Sequence, residues 1–159
     1  KDKGKKKKKK RKAWMSHIRE GRARPKHPYL APPNLDDLFY PRHANARINL
    51  GLAYLGKGDL TAALEELAAV RSFDPRNPIV MVSIGRVYFA QGKTEPAIQE
   101  YRRALAVAPH YANAHFYLGL AQMKQSQLTA ARESFREVVR LSPDSANGRT
   151  ALGYIDLLR

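Results

Sequence analysis

Apolar residues recur at helical spacing through the second two-thirds of the chain, and the pattern breaks at regular intervals. Val80, Ile84, Val87 and Tyr88 mark one face, and after the Gln91-Gly92-Lys93 turn Ala97, Ile98, Tyr101, Ala104 and Leu105 mark another. That spacing predicts two amphipathic helices folded back as a hairpin. Pro96 does not break the second helix, because it falls in the first turn, where its missing amide would have had no intrahelical partner. Asp59, after Gly56-Lys57-Gly58, is placed to cap the corresponding helix one unit earlier.

The hairpin repeats with a period of 34 residues. Gly51, Gly85, Gly119 and Gly153 share one register; Ala63, Ala97 and Ala131 share a second, and Pro75, Pro109 and Pro143 a third. Small residues in the first two columns let paired helices approach closely. A proline cannot continue the helix before it, so it sets the turn into the next unit. Ser126 replaces the turn glycine of the other units, which predicts a less constrained turn there.

These columns resemble the tetratricopeptide repeat family, whose pattern runs Trp-x2-Leu-Gly-x2-Tyr, then Ala-x3-Phe, then Pro. Leu50, Gly51, Tyr54, Ala63, Leu67 and Pro75 match in the first unit, and Ile84, Gly85, Tyr88, Ala97, Tyr101 and Pro109 in the second. The third has Leu118, Gly119, Ala131, Phe135 and Pro143, with Gln122 in the tyrosine place, while Arg47, Met81 and His115 stand where the family has Trp. The resemblance implies an all-α, right-handed solenoid of three helical hairpins, 44–77, 78–111 and 112–145. A capping helix, 146–159, follows, with Leu152 and Gly153 in register.

Residues of the matching columns are packing positions, so function is expected from the positions that vary. The resemblance implies that the first helices line a concave groove, through Asn45, Ile48, Leu52 and Leu55, then Ile79, Val82, Arg86 and Phe89, then Asn113, Phe116, Leu120 and Met123. A wall formed by Ile48, Leu52, Leu55, Val82, Phe89, Phe116, Leu120 and Met123, with Arg86 among them, is a contiguous apolar patch of the kind soluble monomers seldom expose. Family members that hold a chaperone's C-terminal carboxylate present Lys and Asn at places occupied here by Ile48 and Leu52. That clamp is therefore not expected. Two occupants fit: an apolar peptide or amphipathic helix from a partner, anchored by Phe89, Phe116 and Met123, or the protein's own arm through Leu35, Leu38, Phe39 and Tyr40.

Charge separates the N-terminal region from the repeats. The 159 residues carry a formal charge of +15, and residues 1–43 contribute 15 basic against 4 acidic side chains. Residues 1–12 form a polybasic tail, including Lys5, Lys6, Lys7, Lys8, Lys9, Lys10, Arg11 and Lys12, in which mutual repulsion precludes a core. Residues 13–43 hold Trp14, Met15 and Ile18 and then five of the ten prolines, which predicts an extended arm. Such a tail suits an anionic membrane surface, where each basic residue contributes roughly 1 kcal/mol, with Trp14 at the interface. It equally suits threading into a larger assembly. A weaker alternative is a nucleic-acid-associated protein whose lysines contact phosphates without sequence preference, since the aromatics of a stacking platform are missing. No stretch approaches the roughly 18 to 20 apolar residues of a spanning helix. A spanning segment ahead of Lys1 would place the repeats in the cytoplasm by the positive-inside bias, so the expected location is cytoplasmic, peripheral at a membrane.

Candidate chemistry is sparse. The chain has no cysteine, which excludes disulfides and thiolate sites. His17, His27, His43, His110 and His115 form no HExxH or comparable metal-ligand spacing. His115, in the Trp column, is expected to pack rather than to ligate. Glu65 and Glu66 are adjacent on a helix and diverge, which does not suit a general acid and base pair. No phosphate-binding loop or nucleophile elbow occurs. The expectation is a non-catalytic protein-interaction scaffold or assembly subunit without metal or cofactor.

Overall fold

The computed structural model describes the backbone of residues 35–158 and the side chains of residues 44–158. All packing below lies within the compact unit Tyr40–Arg159. The described residues form seven helices and no strands: α1 (Leu35–Lys57), α2 (Leu60–Phe73), α3 (Pro78–Ala90), α4 (Thr94–Val107), α5 (Ala112–Lys124), α6 (Leu128–Leu141) and α7 (Ala146–Leu157). They pair as three hairpins, α1/α2, α3/α4 and α5/α6, followed by α7. Lys5–Lys12, Trp14 and the arm as far as residue 34 lie outside the described residues.

One expectation is corrected here. Residues 35–43, expected to be extended, are the start of the 23-residue α1. Leu35, Leu38 and Phe39 have helical spacing, and Asp36 and Asp37 in the first turn complement the positive end of the helix dipole. Pro41 forfeits one backbone hydrogen bond, a local loss within a long helix.

The helix ends follow the predicted chemistry. Asp59 Oδ1 accepts the Ala62 amide at 3.1 Å, Asn77 caps α3 through Ile79 and Val80, and Ser145 Oγ accepts the Gly148 amide at 2.9 Å. Pro96 is the third residue of α4. The turns between paired helices need one left-handed residue, supplied by Gly58 at φ 82° and Gly92 at φ 77°. Ser126 takes the same conformation at φ 60°, so the third turn keeps its shape, at the steric cost of a Cβ in that region.

The glycine column does what close approach requires. A Cβ at Gly85 would lie 2.5 Å from the Tyr101 ring, and Leu67 and Phe135 fill the same place over Gly51 and Gly119. Leu67, Tyr101 and Phe135, each four residues after the column alanine, are accordingly among the most deeply buried side chains. Three apolar clusters result: two join one hairpin to the next, and the third joins the last hairpin to α7. Polar ties span the same boundaries: Arg71 donates to Glu100 Oε1 at 3.1 Å, an oxygen that Arg103 of the same helix also reaches at 2.9 Å, Gln125 Nε2 donates to Glu95 Oε2 at 3.1 Å, and Asn147 Nδ2 to Asn113 Oδ1 at 2.9 Å. Hydrogen bonds from Gln125, and then from Gln99, hold the Glu95 carboxyl below its ordinary value. That tie is present at neutral pH and is lost as the pH falls through the lowered value.

Candidate functional site: the face of the first helices

The first helices adjoin one another along the stack, α3 against α5 and α5 against α7, which brings residues 34 apart in sequence side by side. On this face Leu52, Leu55, Arg86, Phe89, Leu120 and Met123 are half-buried. Three residues expected in the same wall are not available. Ile48, Val82 and Phe116 are only 4, 3 and 8% exposed. Ile48 packs with Leu67 and Val70, Val82 with Ala97 and Leu118, and Phe116 stands edge-on to Phe135 with ring centroids 6.0 Å apart. The cause is geometric: a first helix inside the stack meets second helices as well as its neighbouring first helices. Its apolar arc therefore extends into positions that a one-sided amphipathic helix would expose.

The remaining wall is joined by contacts the sequence reading missed. The Arg86 guanidinium lies 4.8 Å from the centre of the Tyr117 ring, and Lys124 Nζ lies 4.8 Å from that of Phe89. Each pairs a cation with the negative face of an aromatic ring. Tyr117 also stacks on Tyr101 with centroids 6.1 Å apart and meets Phe116 edge-on at 5.5 Å. Burial pushes the Tyr101 phenol well above the ordinary tyrosine value, so it stays neutral.

Within the repeats the carboxylates are segregated onto the second helices, which carry arginines as well. Residues 44–57, 78–90 and 112–124 contain no Asp or Glu and carry Arg47, Lys57, Arg86, His115 and Lys124, whereas α2, α4 and α6 hold Glu65, Glu66, Glu95, Glu100, Glu133 and Glu137. This could have been read from the sequence by counting charge helix by helix within the period. The face is thus apolar at its centre, cationic at its polar points and without a competing carboxylate on α3 or α5.

Two of the side chains considered for chemistry have structural partners. His115 is half-buried, with Nε2 2.9 Å from the Pro109 carbonyl oxygen, and Glu66 pairs with Arg47 at 3.0 Å. Gln122, in the family's tyrosine place, accepts from Ser134 Oγ at 2.7 Å. Among the described residues no group of three or more His, Asp or Glu is placed to hold a metal ion, and no helix is long and apolar enough to cross a membrane.

Comparison with known families and structures gives a consistent result. A profile described as "Tetratricopeptide repeat" matches residues 35–78 and another of the same description residues 112–145, while one described as "TPR repeat" matches residues 85–126. Among solved structures, the first TPR of Spaghetti (RPAP3), bound to the HSP90 peptide SRMEEVD, superposes with a TM-score of 0.68 at 21% identity, covering 74% of this chain and 93% of that one. The first TPR domain of human RPAP3 gives 0.67 at 23% identity over 74% and 93%. The Sgt2 TPR domain from Aspergillus fumigatus gives 0.65 at 22% over 72% and 78%. Among curated protein sequences no significant match was found. At these identities the structural likeness carries the fold.

Proposed function

The chain belongs to the tetratricopeptide repeat family, and from that premise we propose that it is a non-catalytic interaction scaffold that holds a partner segment on the face of its first helices. The observation that carries this reading is the half-buried wall of Leu52, Leu55, Phe89, Leu120 and Met123, joined to Arg86 of α3 and Lys124 of α5, two helices with no acidic residue. Its complement is a peptide or amphipathic helix with two or three large apolar side chains and at least one neighbouring carboxylate. Partially exposed apolar surface favours the first, and the two cations favour the second. Solved relatives of the fold hold peptides, HSP90 SRMEEVD in one and HSP70 SGPTIEEVD in another. A chaperone tail is not the partner proposed here, because Ile48 and Leu52 replace the Lys and Asn of that clamp.

The test is peptide selection from a displayed random library on the intact protein. Enriched peptides should combine apolar residues with Asp or Glu. The double variant Phe89→Glu, Leu120→Glu should weaken them by about 2 kcal/mol or more, roughly thirtyfold, with helical circular dichroism unchanged. Peptides that bind the double variant as tightly as the parent would remove this face from consideration.

The basic N-terminal arm, Lys5–Lys12 with Trp14, supplies the second half of the proposal: attachment to an anionic membrane surface or within a larger complex. Ten positive charges in the first twelve residues support it. Co-sedimentation with vesicles containing phosphatidylserine should fall sharply when residues 1–12 are deleted and when salt is raised. Equal sedimentation of both forms would exclude the membrane role.

A further inference from the structure

Of the six asparagines in the chain, only Asn147 is followed by glycine. An Asn-Gly pair is prone to a reaction of its own, because no side chain on the second residue hinders its amide nitrogen from attacking the carbonyl carbon of the asparagine side chain. Packing requires the glycine here. A Cβ at residue 148 would strike the Ser142 and Pro143 carbonyl oxygens, so the fold does not admit a more hindered residue after Asn147.

The structure holds both reacting groups out of position. The leaving group, Asn147 Nδ2, donates to Asn113 Oδ1 of α5 at 2.9 Å. The nucleophile is engaged as well: the Gly148 N–H donates to Ser145 Oγ at 2.9 Å, and that hydroxyl donates in turn to the Ser142 carbonyl oxygen at 2.8 Å. Asn147 is the second residue of α7, and closing a ring onto Gly148 requires its ψ to leave the helical value of about −42°. The Arg149 amide, donating to the Ser145 carbonyl oxygen at 3.0 Å, keeps that turn helical.

We propose that Asn147-Gly148 is a site of spontaneous deamidation, gated by opening of the first turn of α7, and that its isoaspartate product releases α7 from the stack. In the opened turn the Gly148 nitrogen gives up its proton and attacks Asn147 Cγ. The new N–Cγ bond closes a succinimide, the Cγ–Nδ2 bond breaks, and ammonia leaves with a proton returned from solvent. Water then adds to one of the two ring carbonyls, giving aspartate or isoaspartate; nothing is oxidised or reduced.

Either product has a carboxylate in place of the Nδ2 donor, so the tie to Asn113 is lost. The two differ in the backbone. Aspartate keeps the chain geometry, and its charge suits a helix N-terminus. Isoaspartate adds a methylene to the main chain beside Gly148, where even a methyl meets backbone atoms. α7 then no longer seats against the Ser142–Pro143 turn, and the stacking of Tyr154 on Phe135 is lost with it. The proposal is independent of the face formed by α1, α3 and α5.

The test incubates the full chain in mildly alkaline buffer, folded and in urea, and follows every asparagine by peptide-mapping mass spectrometry. Asn147 should convert first in the folded chain, at about a tenth of its rate in urea or less, because only the locally opened state reacts. Ser145→Ala and Asn113→Ala should each raise the folded rate about threefold to tenfold. Asn77→Ala, which removes the cap of α3, should leave it unchanged. The isoaspartate form, separated by chromatography, should lose hydrogen-exchange protection in α7, while Asn147→Asp keeps it. The gate is overturned by a folded rate equal to that in urea, or by an equal rise in Asn77→Ala. Absence of conversion at Asn147 in the folded chain, or earlier conversion of another asparagine, overturns the site. An isoaspartate form with α7 protected as in the parent overturns the release.

Discussion

Replacing Phe135 by alanine is expected to lower the unfolding free energy by about 3 to 5 kcal/mol, the range for deleting a fully buried aromatic side chain. The ring is 0% exposed. It fills the space over Gly119, meets Phe116 edge-on at 6.0 Å and stacks on Tyr154 at 4.9 Å, so it joins α5, α6 and α7. Aromatic pairs contribute about 0.5 to 1.5 kcal/mol beyond area, which places this site toward the upper end of the range. Phe135→Leu should cost much less, because Leu67 serves the same register in the first hairpin. Urea unfolding of the two variants checks the order. An alanine variant within about 1 kcal/mol of the parent would mean the cavity collapses around the missing ring. Because contacts in a stacked repeat are made between neighbours, amide exchange should rise first in α5, α6 and α7.

The architecture was legible because the period places the same few residue types at the same physical task. Small residues at Gly85 and Ala97, with Tyr101 four places later, describe a close helix pair, and the structure assembles that pair. Turn and cap chemistry at Gly58, Asp59, Gly92 and Pro96 is local and could be read locally. The start of α1 was misjudged by giving proline more weight than the helical spacing of Leu35, Leu38 and Phe39 around two first-turn aspartates. The arm's proposed docking through Leu35, Leu38, Phe39 and Tyr40 concerns side chains outside those described.

The candidate face was legible only in part, and for a different reason. Apolar spacing on one helix reports the width of its buried arc but not which neighbours cover that arc. Val82 and Phe89 sit seven residues apart on α3, yet Val82 is enclosed by Ala97 and Leu118 while Phe89 is left half-buried under Lys124. Cation and ring pairs such as Arg86 with Tyr117 join helices from successive units, and they become visible only once the units are stacked. The charge segregation was present in the sequence all along. It needed the helix boundaries before α3 and α5 could be seen to hold no acidic residue.

Among the described glycines, Gly148→Ala is expected to be the most damaging change, at about 3 kcal/mol, the upper part of the overpacking range. The new Cβ would fall onto the Ser142 carbonyl oxygen and lie 2.6 Å from the Pro143 carbonyl oxygen. These are backbone atoms, and no rotamer change can move them aside. At Gly85, in contrast, the obstructing atoms belong to the Tyr101 ring, which has some freedom to tilt. Relief at Gly148 therefore requires α7 to shift as a body. Such a shift breaks the stacking of Tyr154 on Phe135, disturbs the Ser145 cap on the Gly148 amide and opens the fully buried Ala151 to water. Gly153→Ala, five residues along the same helix and with open space around its Cβ, is the internal control and should be neutral. Thermal unfolding should rank the two far apart, and hydrogen exchange should show α7 amides losing protection in Gly148→Ala while α3 and α4 retain theirs. If both alanine variants melt together with the parent, α7 does not pack on the Ser142–Pro143 turn as described.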